Sequence, residues 1–447
     1  MALAIYLWNV PYAISESVAI LEDLQQKPLT DFADLRQPYL RPLFWLALWT
    51  IWHLAGSIPA ALSAFKVAHI AVAAGLVFLF LGRLRPRNAV DASAAAMAVA
   101  VFAGSPAFRD NLENLPLNAM LIVMVLALAA WALLEREYRW WHDPALVGLT
   151  IAATGFKEQG LLLAVMVVGA RLAGAPGVRN AAPLAVSVVT ILYLAVRAAG
   201  SAAWPVFAQD VGIGWRALST GEAIAEYGAF PYGIYAYNSL STAANVLFSE
   251  PTSGVFHIAR GLALGQVATW DINHVASSLA LTAVIAWWGI RMLRGSGAPG
   301  TMPEARLFLI FLLMIAGSAA FGFNYTRDRF GGIAAVFYAL AAYHAVRAAA
   351  CVVVLKSRPL FTFAAAGLLM LAIAWQVRAT GTVLYVRETA WLNQKEWLVD
   401  LADRREAFAD RPVYLAMLEA MVEQGTDPSV TPAGPDPRWF ATVFGDR

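Results

Sequence analysis

The sequence predicts an all-α polytopic integral membrane protein, and three observations predict it. The chain of 447 residues is 60% hydrophobic and only 14% charged, with 16 Trp and 23 Phe; soluble domains carry roughly 25% charge. Long apolar runs recur along its length, several of them shorter than the roughly 20 residues a straight crossing requires. Lys and Arg in the loops between those runs fall on alternate sides, as the positive-inside rule demands.

Taken in order, the N-terminus M-A-L-A-I-Y-L-W-N-V-P-Y-A-I lacks a basic leader region and an A-x-A-like cleavage site. It is therefore expected to form a short first membrane helix rather than a cleaved signal. Next comes S-E-S-V-A-I-L-E-D-L-Q-Q-K-P-L-T-D-F-A-D-L-R-Q-P-Y-L-R-P-L, residues 15–43, with Glu16, Glu22, Asp23, Asp31 and Asp34 and the cations Lys27, Arg36 and Arg41. Pro28, Pro38 and Pro42 divide it into short pieces. Five carboxylates cannot lie in hydrocarbon, so this is expected to be an acidic loop at a membrane surface. It serves either as a solvated connector or as the carrier of a catalytic carboxylate. Residues 42–55, P-L-F-W-L-A-L-W-T-I-W-H-L-A, are Trp-rich and are expected to lie on the bilayer surface.

Ten further apolar segments are expected at 60–82, 91–106, 115–134, 145–156, 159–173, 181–198, 275–293, 306–322, 330–348 and 360–379, making about eleven spans with the first helix. The pair 145–156 and 159–173 reads as one broken or re-entrant element around Phe156-Lys157-Glu158. Thirteen cations, among them Arg83, Arg136, Arg171, Arg291 and Arg347, fall on one side. Only Arg109, Lys157, Arg327 and Arg329 fall on the other. The first side is thus cytoplasmic, and the acidic loop, the aromatic segment 199–274 and the tail after 380 face outward. The expected division is a transmembrane domain, 1–380, with outward loops 15–59 and 199–274 and their juxtamembrane helices, followed by a small periplasmic tail, 381–447.

The single cysteine, Cys351, excludes an internal disulfide and a cysteine metal site. No P-loop, dinucleotide fingerprint, serine-hydrolase elbow or zinc-protease motif is present. The polar residues that remain fall at outward helix ends: Arg109, Asp110 and Glu113 after Pro106, Lys157 and Glu158 between two apolar runs, and Arg327, Asp328 and Arg329 before a span. Snorkelling and local pairing account for any one of these. Several on one face point to a substrate path. Carboxylates there would deprotonate a hydroxyl, and Arg and Lys would hold a phosphate.

These residues carry a resemblance. Y-L-R-P-L at 39–43 is similar to the Y-R-P-L of the C-type (GT-C) membrane glycosyltransferases that use polyprenyl-phosphate sugars, in the branch of protein O-mannosyltransferases with tetratricopeptide tails. F-K-V-A-H at 65–69 resembles that branch's apolar stretch ending in His. G-S-P-A-F-R-D-N-L-E-N at 104–114 resembles its H-P-x-x-x-E region, F-K-E at 156–158 its S-K-E, and R-D-R-F at 327–330 its E-R-Y. The resemblance covers about residues 10–350, in order and spacing. Ser15-Glu16 stands where the family's paired aspartates begin the first outward loop. Ser105 replaces the motif His, and the tetratricopeptide tail is absent.

The resemblance implies a GT-C-like fold in a bacterial inner membrane and transfer of a sugar from a polyprenyl-phosphate donor to an acceptor hydroxyl on the periplasmic side. Glu16 is expected as general base, with Asp23 or Glu22 as runner-up. Arg329, Lys157 and Arg109 are expected at the donor phosphate, and Glu113, Glu158 and Arg41 elsewhere in the substrate site. The expected partners are the lipid donor, a glycan, lipid or protein acceptor and the bilayer, with no nucleic acid. No residue spacing calls for a metal, although a divalent ion is compatible with the chemistry. A transporter or flippase for a lipid-linked glycan, or a non-catalytic assembly factor, is the alternative. The transporter reading is disfavoured by the absence of internal repeats and by the one-sided placement of the charges; the assembly-factor reading would follow if the Ser15-Glu16 change abolished activity.

Overall fold

The computed structural model describes residues 2–12, 14–33, 40–112, 117–200, 210–213, 216–227, 232–248, 257–267, 269–295, 303–354 and 358–425. It is an all-α membrane protein whose only described strands form one small hairpin, Asp210–Ile213 against Arg216–Ser219. The helices are α1 (Ala2–Asn9), α2 (Ile14–Gln26), α3 (Pro42–Ala55), α4 (Ile58–Leu84), α5 (Ala89–Ala103), α6 (Pro106–Asn111) and α7 (Ala119–Leu134). They continue with α8 (His142–Phe156), α9 (Leu161–Leu172), α10 (Ala181–Gly200), α11 (Thr220–Tyr227), α12 (Tyr232–Phe248) and α13 (His257–Leu264). The last five are α14 (Thr269–Gly295), α15 (Pro303–Phe321), α16 (Gly332–Val354), α17 (Arg358–Arg404) and α18 (Pro412–Gly425).

A helix lies at each apolar segment picked out above. Six of them, α4, α10, α14, α15, α16 and α17, are long and apolar enough to cross a membrane. Helices α5 and α7 are equally apolar but shorter. Hydropathy marks where these segments lie, but their length depends on where a cap or proline stops each helix. The bundle core is apolar. Met120, Val123, Met124 and Ala127 of α7 pack with Ile333, Phe337 and Ala341 of α16 and Ile310, Phe311 and Met314 of α15.

Residues 15–33 differ from the expected open loop. Val18, Leu21 and Leu24 are fully buried at a three-residue spacing, so Glu22 and Asp23 ride on the polar face of α2. The helix stops before Pro28, and a 3-10 turn, Leu29–Ala33, follows. The apolar face of α2 belongs to a second cluster with Phe44 and Leu48 of α3, Leu62 and Phe65 of α4, and Tyr414, Met417, Leu418 and Met421 of α18. The boundary expected at 380 falls inside α17, which runs unbroken to Arg404. Its extension returns the chain so that α18 docks on α2, where Arg411 Nε donates to Glu22 Oε1 at 3.0 Å.

Within segment 199–274, α12 turns a polar face into the bundle while Tyr232 and Leu240 stay exposed. Asn238, Ser241, Thr242 and Asn245, spaced as one helical face, are all buried. Asn238 Nδ2 donates to the Gly212 carbonyl at 2.8 Å and the Phe323 carbonyl at 3.2 Å, and the Thr242 and Thr326 hydroxyls bond at 2.6 Å. These bonds tie α12 to the segment that leads into α16, while Asn238 Oδ1 and Ser241 Oγ find no partner among the described residues.

Candidate functional site

Helix α6 begins where α5 ends. Gly104 closes α5, the Ser105 hydroxyl accepts from the Phe108 amide at 3.2 Å, and Pro106 fills the first turn, where no amide donor is missed. Ser105 is thus the cap of this helix. The six-residue helix presents Arg109, Asp110 and Asn111 towards a 3-10 turn, Asp328–Gly331, that opens α16.

The two segments lock reciprocally. Arg109 Nη2 donates to Asp328 Oδ2 at 3.1 Å, and the Arg329 amide donates to Asp110 Oδ2 at 2.8 Å. The Arg329 guanidinium lies 3.9 Å from the same Asp110 oxygen. Asp328 also accepts from Asn245 of α12 at 3.1 Å. Arg-Asp in one segment therefore meets Asp-Arg in the other, with every carboxylate partnered by a charged or amide donor.

Lys157 and Glu158 occupy the break between α8 and α9, where one 3-10 turn, Glu158–Gly160, joins two apolar helices. The turn folds tightly back on α8: a Cβ on Gly160 would stand 2.2 Å from the Ala153 carbonyl carbon. Only glycine fits that approach. Across the site, Arg41 at the start of α3 forms a two-point pair with Glu158, Nε to Oε2 at 2.9 Å and Nη2 to Oε1 at 2.7 Å. Burial alone would raise the Glu158 carboxyl; the Arg41 guanidinium overrides it and holds the group down to about 2.

Lys157 is different. It is 8% exposed, and among the described residues its ammonium has neither a hydrogen bond nor an ion pair, only the Phe330 ring at 5.7 Å. Burial, and after it the positive fields of Arg41 and Arg329, push it down to about 7, against the pull of Glu158 and Asp110. Around it stand two guanidiniums, Arg41 and Arg329, and two carboxylates, Glu158 and Asp110.

The structure thus brings Arg41, Lys157, Glu158 and Arg329 together. Arg109 pairs with Asp328, next to Arg329, and lies over the Tyr385 ring at 4.3 Å and in the field of Arg378. Glu16 lies in the first turn of α2, with its side chain outside the described residues, and Glu113 lies outside them altogether. Glu22 is held by Arg411, and Asp23 lies 2.6 Å from Lys27 on its own helix. Among the described residues no three acidic, His or Cys side chains are grouped to hold a metal ion.

Three contributors were not singled out by sequence. Asn245 sits in a stretch expected as loop, although its polar neighbours recur at helical spacing. Asp110 and Asp328 stood out only as members of charged clusters; each finds its partner 219 positions away, with no local signal. Comparisons with protein-family models, with curated proteins and with solved structures found no match to this chain.

Proposed function

We propose that the chain is a membrane glycosyltransferase of the C-type fold, with about eleven spans, in a bacterial inner membrane. It moves a sugar from a polyprenyl-phosphate donor to an acceptor hydroxyl on the periplasmic side. The observation that carries this reading is the Lys157 ammonium, nearly buried, without a hydrogen-bond partner among the described residues and flanked by Arg41 and Arg329. An unpaired cation in such surroundings is costly unless an anion completes it. An ammonium set beside two guanidiniums suits a phosphodiester, the form in which phosphate links a sugar to a lipid. Arg329 and Lys157 hold that phosphate, and the Arg41–Glu158 pair orients Lys157 towards it. Glu16 is the general base, Asp23 and Glu22 being its runners-up. As the glycosidic C–O bond to phosphate breaks, the acceptor oxygen bonds to the anomeric carbon, its proton passes to Glu16, and the lipid phosphate leaves on the cations.

Purified protein in nanodiscs, given an acceptor extract and either a polyprenyl-phosphate sugar or a nucleotide sugar, tests this. Transfer from the lipid donor alone is expected, and Lys157→Met should weaken donor binding by about tenfold or more. Transfer from the nucleotide sugar without any lipid carrier overturns the reading. Unchanged donor affinity in Lys157→Met removes the phosphate site.

A further inference from the structure

A second group of cations lies at the far ends of α4 and α7. Helix α7 is capped by Asn118, whose side chain donates to the Asn111 carbonyl of α6 at 3.1 Å, so it starts beside the site. Its 16 residues then carry the chain about 24 Å away. Helix α4 packs against it, and Leu84 of α4 and Leu134 of α7 belong to the same apolar core. Next to these leucines in the chain are Arg83, Arg85 and Arg136, the first half-buried and the other two exposed. The fields of Arg85 and Arg136 both reach Arg83, as does that of Glu135.

Two of the three acids in these turns are already taken. Arg306 of α15 holds Glu135 at two points, Nε to Oε1 at 3.1 Å and Nη2 to Oε2 at 3.3 Å. Arg347 of α16 lies 3.1 Å from Asp91, which also accepts from the Arg87 amide at 3.1 Å. The third acid, Glu137, is exposed. Among the described residues Arg83, Arg85 and Arg136 form no ion pair, and their one side-chain hydrogen bond runs from Arg85 Nε to the Gly82 carbonyl at 3.4 Å. A lone arginine at the end of a span snorkels to water and calls for nothing more. Arg85 does not fit that account. Its φ is 38°, the only positive value at a described residue other than glycine. Glycine is the usual residue where a helix ends this way, and a side chain there is strained. The chain accepts that strain, and with it a third guanidinium among like charges. On the same face of α4, Phe78 and Leu81 are 77% and 47% exposed, and the space over Gly82 is open. Helix α4 is long and apolar enough to cross a membrane, so acyl chains would meet these residues where the arginines begin.

We propose that Arg83, Arg85 and Arg136 bind the headgroup of a membrane lipid that carries two phosphates, with its acyl chains on Phe78 and Leu81. Guanidiniums take phosphate by paired hydrogen bonds, and basic pockets between spans suit such headgroups. One phosphodiester brings a single negative charge and leaves two arginines repelling each other. Two phosphates bring two charges and span from the end of α4 to the end of α7. A zwitterionic lipid brings no net charge. A soluble diphosphate brings the charge but nothing for Phe78 and Leu81. This surface stands the length of α7 away from the Lys157 site and does not rest on the glycosyltransferase reading. A chain that binds this lipid but transfers no sugar keeps this proposal and loses that one.

The test is native mass spectrometry of the delipidated full chain with four probes: tetraoleoyl cardiolipin, dioleoyl phosphatidylglycerol, dioleoyl phosphatidylcholine and inorganic pyrophosphate. Cardiolipin should bind at least about tenfold more tightly than any of the others. Arg83→Gln and Arg136→Gln should each weaken it by about fivefold. Arg294→Gln, which removes an exposed cation from α14 instead, should change it by less than about twofold. Arg85→Gly separates binding from folding. It should weaken cardiolipin by about fivefold, yet the lipid-free protein should melt no lower, because glycine relieves the left-handed turn. Cardiolipin binding no more tightly than phosphatidylglycerol or phosphatidylcholine overturns the proposal. So does pyrophosphate binding as tightly as cardiolipin, which would make this a free-anion site. Full affinity in Arg85→Gly, or a loss in Arg294→Gln equal to that in Arg83→Gln, overturns it as well.

Discussion

Replacing Arg41 with alanine tests the centre of the site. The two-point pair with Glu158 is mostly buried, its side chains 21% and 13% exposed, so solvent screens it little. Glu158 is held at about 2, from an ordinary 4.5. Each tenfold gain in acidity is worth about 1.4 kcal/mol, so the folded state gains about 3 kcal/mol from keeping this carboxylate ionised at pH 7. The folded value lies below the unfolded one. The contribution is therefore complete above about 4.5 and is lost as the pH falls towards about 2. Arg41→Ala should lower stability at pH 7 by about 3 kcal/mol, within the range for a buried charge left alone. Glu158→Gln restores a neutral group, so the double variant should recover part of that loss. Reversible denaturation of all four proteins in detergent closes the cycle. A coupling below about 0.5 kcal/mol, the level of an exposed pair, would refute the argument that burial makes this contact strong. The same change also bears on Lys157: without Arg41, Glu158 turns to the ammonium, and donor binding should fall although Lys157 itself is intact.

Three further outcomes are expected. Glu16→Gln should reduce turnover on the order of a hundredfold with folding intact, measured as sugar transfer; full activity there with an inactive Asp23→Asn would move the base within α2. Donor affinity should weaken as the pH rises through about 7, because Lys157 loses its proton there, and Lys157→Arg should flatten that dependence; titration from mildly acidic to mildly basic pH decides it. With the exposed Cys351 replaced, cysteine at the exposed Gln26 should react with an impermeant thiol reagent once the outer membrane alone is opened. Labelling only after inner-membrane lysis would reverse the orientation.

Composition and hydropathy determined the class of this protein and the place of each apolar helix, because a bilayer imposes length and polarity on every segment by itself. The break at Lys157-Glu158 was equally legible, since charge in an apolar run acts locally, whereas the expected segment 91–106 ran through the point where Ser105 and Pro106 start α6. Pattern misled where charge hid periodicity: the acids of residues 15–33 mask Val18, Leu21 and Leu24, whose spacing makes α2 a helix. Arg378 does carry a sequence signal, a lone cation at the end of an apolar run. Other features had none. Arg41 meets Glu158 across 117 positions and Arg109 meets Asp328 across 219. Such pairs arise only when helices far apart in the chain are packed side by side. Only then could it be decided which cations are neutralised and that, among the described residues, Lys157 and Arg378 are left without a carboxylate of their own. Charge compensation depends on distances of a few ångströms through a low-dielectric interior, and those distances belong to the packed fold.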